Sequence, residues 1–424
     1  VPVRTYLVIV LVFGAAWSAW SGDAAAQSAD REPDRNADRD DAVWVNPRPY
    51  PANFWGPRTG IGLGAGLSVH NLGRSDSQGL VTALVGRYQQ VGTVAWTPQW
   101  SHRKPGFTVL EGRVFHTKRD WFYGVGSFPQ DDTRLELHRT QLRGGVRGRY
   151  LPFGTDALRL HAQVHIVHDR IYDQRNDDDN AYSRLDAGTR AYLMAFGRTR
   201  TGDVRTRSLT GMRPQLGLSF DTRDREHGPR QGVLVRWQTG RYLDVEGGAA
   251  FWTHEADLAG HVPLSDAQTL DLTAHTRIAR STTDQPIPPM YLSALEAFQM
   301  PGVARGRFRA RDRVLVGARY RVQWRNIGRL LTVEPYVGGH SGAVYTDVFK
   351  QFAVDATIER TPTPSSEVPL RVSGYVGLRL APTFRDTTWL DVAVGLGPDG
   401  VTGVRLAFTP TFRHLRPDHH NDRW

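Results

Sequence analysis

From Gly60 onward, apolar and polar residues alternate in segments of about ten residues, with turn residues between them. In "LRLHAQVHI", Leu158, Leu160, Ala162, Val164 and Ile166 take one side, and Arg159, His161, Gln163 and His165 take the other. "VLVGARYRVQW" sets Val314, Val316, Ala318, Tyr320, Val322 and Trp324 against Leu315, Gly317, Arg319, Arg321 and Gln323. A period of two belongs to strands. One face is apolar and the other carries charges. A soluble sandwich would bury the apolar face, whereas a membrane barrel would turn it to lipid and line its lumen with the charges.

Strand length and loop order separate these two. Sixteen strands are expected near 60–70, 79–88, 91–100, 106–116, 119–127, 133–150, 157–170, 209–222, 231–243, 248–263, 267–281, 312–324, 330–345, 371–383, 387–396 and 402–412. Most have about 10 residues or more, as a tilted membrane strand needs, against about 5–6 in globular sheets. The even-numbered connections are short: "QQ", "KRD", "PFGTD", "DREHGPRQ", "PLSDAQ", "RNIGR" and "FRDT". The long ones, 171–208, 282–311 and 347–370, all fall at odd positions. Short periplasmic turns opposite long outer loops are the pattern of outer-membrane barrels. An even count also closes the sheet and leaves no polar edge in lipid. The expected fold is therefore all-β, a transmembrane antiparallel β-barrel of about sixteen strands over residues 57–412. "FDTRDREHGPRQG", with Asp221, Arg223, Asp224, Pro229 and Gly232, is expected as a periplasmic turn. The last strand, "GVRLAFTPTF", ends in aromatics, with Phe408 and Phe412 on one face, as an assembly signal would. A periplasmic tail, 413–424, follows.

The other end of the chain gives the address. Arg4 precedes "YLVIVLVFGAAWSAW" and then "AAAQ", so residues 1–26 read as a signal peptide cut near Ala26–Gln27. Residues 27–56 read as a disordered polar and Pro-rich linker. The expected location is the outer membrane of a Gram-negative cell. The net charge is +10, but the arginines are spread along alternating segments rather than gathered in one patch, which argues against nucleic acid. There is no Cys, as suits a chain that avoids disulfides in an oxidising compartment.

Few residues invite chemistry. Asn176–Asn180 ("NDDDN") lacks the spacing of a Ca²⁺ loop and reads as a solvated outer loop. His414, His419 and His420 lie in the tail, and His161, His165 and His275 read as wall residues. His340-Ser341 has no positioned third group. No enzyme, metal or cofactor is expected, and an outer-membrane enzyme ranks last among the readings. Arg159, Arg236, Arg319, Arg321, Arg379 and Arg405 fall on polar faces, which keeps a passive pore for small anionic solutes as the alternative.

Several stretches resemble, in order, the barrel domain of the BamA-type and TamA-type outer-membrane proteins, the bacterial surface antigen family. They are "HNLGRSDSQGLVTALVGRY", "WFYGVGSF", "LSFDTRDREHGPRQG" and "GVARGRFRARDRVLVGARYR". The resemblance covers roughly 57–412. It implies a sixteen-stranded barrel acting in transport or insertion of protein or lipid at the outer membrane. Outer-membrane lipid and lipopolysaccharide are its implied surroundings, with a periplasmic protein as partner. The family usually carries POTRA domains before the barrel. Residues 27–56 are too short for one, so a barrel-only member is expected.

The resemblance also implies a sixth loop folded into the lumen, whose Arg pairs with acids on the wall. A buried guanidinium needs such partners. Arg305, Gly306, Arg307 and Phe308 are the expected tip, and Arg319, Arg321, Glu334 and Gly338 the wall positions facing it. Arg319 and Gly338 stand where the family has its acids, which leaves Glu334 or Asp391 as substitutes.

Overall fold

The computed structural model describes residues 44–51, 62–70, 77–97, 106–126, 135–152, 157–173, 187, 207–224, 228–245, 248–295, 300–304, 306–327, 331–352, 368–382 and 390–407. The segment 1–26 expected as a signal peptide, Asn176–Asn180, Arg305, Phe408, Phe412 and residues 413–424 lie outside them. The described residues all belong to one compact unit, Trp44–Trp424.

The strands are β1 (Trp44–Pro51), β2 (Gly62–His70), β3 (Gln78–Gly86), β4 (Gln89–Thr97), β5 (Gly106–Phe122), β6 (Leu135–Tyr150), β7 (Leu158–Asp173), β8 (Arg207–Asp221), β9 (Gly232–Asp244) and β10 (Ala250–Pro263). There follow β11 (Gln268–Ser281), β12 (Ser293–Ala294), β13 (Arg309–Ala310), β14 (Asp312–Val322), β15 (Arg325–Ile327), β16 (Leu331–Tyr345), β17 (Arg371–Pro382), β18 (Leu390–Gly397) and β19 (Gly400–Ala407). Each long strand pairs antiparallel with its chain neighbour from β1 to β11, and β11 then pairs with β14. The meander continues through β16, β17, β18 and β19. β14 and β15 both pair with β16 and are two pieces of one strand, which makes a sheet of sixteen positions. β12 and β13 form a separate small hairpin inside the connection from β11 to β14. Among the described residues no ladder joins β1 to β19, and the barrel is not closed.

The expected sixteen is reached by a different route. The segments 106–116 and 119–127 are one strand, β5, and "KRD" is not a turn. The chain absorbs it as a register shift between Thr117 and Asp120. A bulge of this kind re-aims the side chain beyond it, and Asp120 is buried. The missing strand is β1, which lies in the stretch expected to be a disordered linker. Its Pro47, Pro49 and Pro51 share one parity and lack an N–H. They fit a ladder with β2 only with their nitrogens turned away from it, as on an edge strand.

These two changes shift the parity of the early turns. The tight Arg87–Tyr88 turn between β3 and β4, expected among the short periplasmic ones, lies at the same end as the long connections β7–β8, β11–β14 and β16–β17. The opposite end keeps brief links such as Leu264–Ala267.

The two faces of the sheet invert the usual globular order. Ile166 is 63% exposed and Leu216 61%, with Leu110, Trp237, Leu258 and Val376 also facing out. Asp169, Asp271 and Arg139 are buried on the inner face. Charges inside and a continuous aliphatic surface outside are stable only where the outer solvent is lipid.

Candidate functional site: the loop inside the barrel

The connection from β11 to β14 folds inward because its sequence is apolar enough to form a core of its own. Leu295, Met300, Val303, Phe308 and Ala310 are buried against Leu315 of β14 and Val344 of β16. Ile287, Tyr291 and Leu292 pack on Tyr242, Phe251 and Ala279 of β9, β10 and β11. Tyr242 stacks on Phe251 at 5.1 Å, and Tyr291 sits 4.9 Å from Tyr242. Each such aliphatic or aromatic side chain contributes about 1.5–3 kcal/mol when fully buried. The loop is therefore held as part of the interior.

Polar anchors fix where it docks. Arg309 Nη2 donates to Asp120 Oδ1 of β5 at 2.7 Å, and to the Trp121 carbonyl at 3.3 Å. Its Nη1 donates to the Pro289 carbonyl at 3.4 Å. The backbone joins in, with Gly126 N–H donating to the Arg309 carbonyl at 2.7 Å. Gly306 has φ +72°, and a Cβ there would run into the Trp121 carbonyl, so both conformation and closeness demand glycine.

A second anchor reaches the last hairpin. Arg307 pairs with Asp399 in the β18–β19 turn, and the same carboxylate accepts from Ala304 N–H. Gly302, at φ +100°, lies against the Leu396 and Gly397 backbone. Arg307 and Arg371 both lie over the Phe308 ring, at 5.4 and 4.8 Å. A third anchor is Tyr291, whose hydroxyl donates to Asp169 Oδ2 of β7 at 2.5 Å. Burial, then the Asp169 charge, pushes the Tyr291 hydroxyl well above its usual range, so it stays a donor. Asp169 also accepts from Arg139 Nε at 2.9 Å and Gln141 Nε2 at 3.0 Å of β6.

Sequence reasoning placed the tip at Arg305–Phe308. Arg307 and Phe308 do dock, but the arginine on the first-half wall is Arg309, and its acid is Asp120. "RGRFRARDR" offers arginines at alternate positions, and no local signal separates them. Asp120 was hidden because its stretch read as a turn.

The expected wall positions meet other groups. Arg319 and Arg321 both bind Asp271 of β11, at 2.8 and 3.0 Å, and His261 Nδ1 reaches the same carboxylate at 2.7 Å. Glu334 stands 3.7 Å from Arg321 and 3.6 Å from Arg379, and Arg379 lies 3.7 Å from Asp391. Gly338 leaves room for the Tyr375 ring. This network lies at the short-turn end of the wall, where it holds the β8–β9 turn: Arg321 donates to the Gly228 and Pro229 carbonyls. Within that turn Asp221 binds Arg223 at 2.8 Å and Asp224 accepts from Arg230 N–H at 2.9 Å. Gly232 takes φ +103° against the Thr222 carbonyl.

His340 and Ser341 are neighbours on β16, so their side chains point to opposite faces. His340 stacks on Tyr375 at 5.0 Å. That arrangement does not make a nucleophile and its base. His161 and His165 are wall residues, bonded to Ser219 at 2.9 Å and Glu111 at 2.7 Å. His275 pairs with Asp257.

The docked loop and the sixteen-position meander can be set beside known proteins. The chain is similar to BamA from Haemophilus ducreyi lacking POTRA domains 1-3, with TM-score 0.60 and 11% identity over 86% of this chain and 69% of that one. It is similar to CdiB from Escherichia coli, with TM-score 0.53 and 11% identity over 86% of this chain and 61% of that one. At such identities the likeness is one of fold. No curated protein matches in sequence. The family model described as the Omp85 superfamily domain matches residues 71–309, from the start of the β2–β3 link to Arg309 of the docked loop. On that match the chain belongs to the Omp85 superfamily and is an outer-membrane β-barrel of the transport and insertion type.

Proposed function

We propose that this barrel moves or inserts protein or lipid at the outer membrane, and that the β11–β14 loop keeps its lumen filled until a client or partner engages it. The observation that carries the reading is the loop's double attachment, Arg309 to Asp120 of β5 and Arg307 to Asp399 beside β19. One inward element thus ties the first part of the wall to the last hairpin, which suits a barrel whose two sides must stay registered while its ends work. A periplasmic protein is the proposed partner, acting at the short-turn end. The passive anion pore has less support. Arg159, Arg319, Arg321 and Arg379 each stand against a carboxylate, so their charge is largely answered within the wall.

The test is insertion itself. Liposomes carrying the refolded chain should speed the folding of an unfolded outer-membrane barrel added from urea, relative to empty liposomes. Equal rates with and without the chain, in the presence of periplasmic extract as well, would contradict the insertion reading.

A further inference from the structure

Two acids on β10 reach the docked loop through β11, along parallel chains of side chains. Glu255 pairs with Arg277 Nε at 3.1 Å, and Arg277 Nη2 donates to the Tyr291 carbonyl at 3.0 Å. In the second chain Asp257 meets His275 Nδ1, His275 Nε2 meets Arg313 Nη2, and Arg313 Nη1 donates to the Ala294 carbonyl. Ala294 is the register partner of Arg309 in the β12–β13 hairpin. The second chain therefore ends on the same element that Asp120 holds through Arg309. Next to it, Leu295 N–H donates to the Phe308 carbonyl at 3.1 Å.

The chemistry of Arg313 fixes the state of His275. A guanidinium has only donors and keeps its charge at any ordinary pH. His275 Nε2 must therefore accept, which leaves the single ring proton on Nδ1, donated to Asp257. The imidazole is neutral in this arrangement, and a second ring proton would set N–H against N–H. It would also upset a balance of charge. Arg277 and Arg313 are register partners on β11 and β14, and they stand against Glu255 and Asp257. A charged imidazole would be a third cation beside two carboxylates. The other groups around it do not restore the balance. Arg236 of β9 lies across from Asp257, and Arg213 of β8 acts on Arg277 as a like charge. Arg319 is already bound to Asp271, and Arg309 of the loop to Asp120. From β16 the titratable group is His340, whose ring lies over Gly317 beside Thr273. The His275 side chain is 12% exposed, so salt screens these charges little.

We propose that His275 is an acid-sensitive latch on the docked loop. With the imidazole neutral, Arg313 is held between its Nε2 and the Ala294 carbonyl. Once the imidazole takes a second proton, Arg313 is driven off and the β12–β13 hairpin loosens from the wall. Imidazole is the side chain that changes charge between about pH 8 and 5. The Glu255–Arg277–Tyr291 chain contains none, so it keeps its hold while the hairpin lets go. The latch rests on the proposed role of the loop and deepens it by naming what releases it.

The test follows backbone hydrogen exchange of the refolded chain in detergent at pH 8 and pH 5, corrected for the intrinsic pH dependence of exchange. Residues 293–295 are read against the β6–β7 ladder of the same sample. Acid should lower the protection of 293–295 about tenfold, the size of one charge-assisted bond, and leave β6–β7 unchanged. His275→Gln offers a donor to Asp257 and an acceptor to Arg313 but takes no proton. Arg313→Gln can still donate to the Ala294 carbonyl but carries no charge to repel. In either variant the ratio of protection between the two pH values should fall to one. A ratio of one in the wild type would overturn the proposal. So would the wild-type ratio persisting in either folded variant, or an equal acid loss in β6–β7. Bilayer conductance of the wild type at both pH values tests the proposed role of the loop separately. A hairpin that loosens at pH 5 without new openings would contradict that role and leave the latch standing.

Discussion

The arginines of the docked loop show how much depends on a single side chain. Arg309 is buried, and three acceptors surround its guanidinium: the Asp120 carboxylate and the Trp121 and Pro289 carbonyls. Removing one partner of such a pair strands the other, at about 3–5 kcal/mol. Arg309→Ala should therefore free the loop, measured as faster cleavage within 284–307 by added protease. Arg309→Lys should rescue only part of the protection, because an ammonium does not span three acceptors set around a planar fork. Tyr291 adds a pH dependence. Its folded form keeps a proton that the unfolded chain releases near pH ~10. Its contribution is thus full below that pH and is lost as pH rises further. Tyr291→Phe should flatten the alkaline slope of unfolding free energy, and an unchanged slope would place the titration elsewhere. At this scale the sequence was least informative. The run of alternate arginines announced that some guanidinium would need an acid, but choosing among them required knowing that the bulge after Thr117 turns Asp120 inward.

At the scale of elements, alternation did most of the work and turn chemistry misled in two places. The strands from β6 to β11 were legible because their period-two patterns are long and bounded by Gly, Pro and Asp. β5 was split because Lys118 and Arg119 looked like a turn, whereas one bulge absorbs them without breaking the ladder. β1 was missed because three prolines in "WVNPRPYP" read as a linker, although their common parity lets the opposite edge pair with β2. That pairing is testable, since the chain has no Cys to interfere. Val45 and Val69 are register partners of the same parity as Pro47, hence a close pair without exchanged hydrogen bonds. Val45→Cys with Val69→Cys should form a disulfide on mild oxidation, seen as a gel shift reversed by reductant. No shift in a folded sample would mean that β1 does not lie on β2.

Across the whole molecule, the inverted faces and the inward-docked loop belong together. An aliphatic exterior calls for lipid, and a charged lumen calls for either water or a polar-edged insert that pairs with it. The loop supplies the insert at the long-loop end, while Arg321 holds the β8–β9 turn at the other. Loop parity read from the chain was enough to expect a barrel, and motif order was enough to name its family. The identity of the client was not legible, because nothing in the wall's ion pairs selects one. The most direct test of a loop-filled transport barrel is planar-bilayer conductance of the refolded chain, taken from a sample with a heat-modifiable band, beside Arg309→Ala. The account predicts a silent or briefly flickering wild type and longer, larger openings in the variant. Steady, anion-selective conductance from the wild type, unchanged by the substitution, would contradict it.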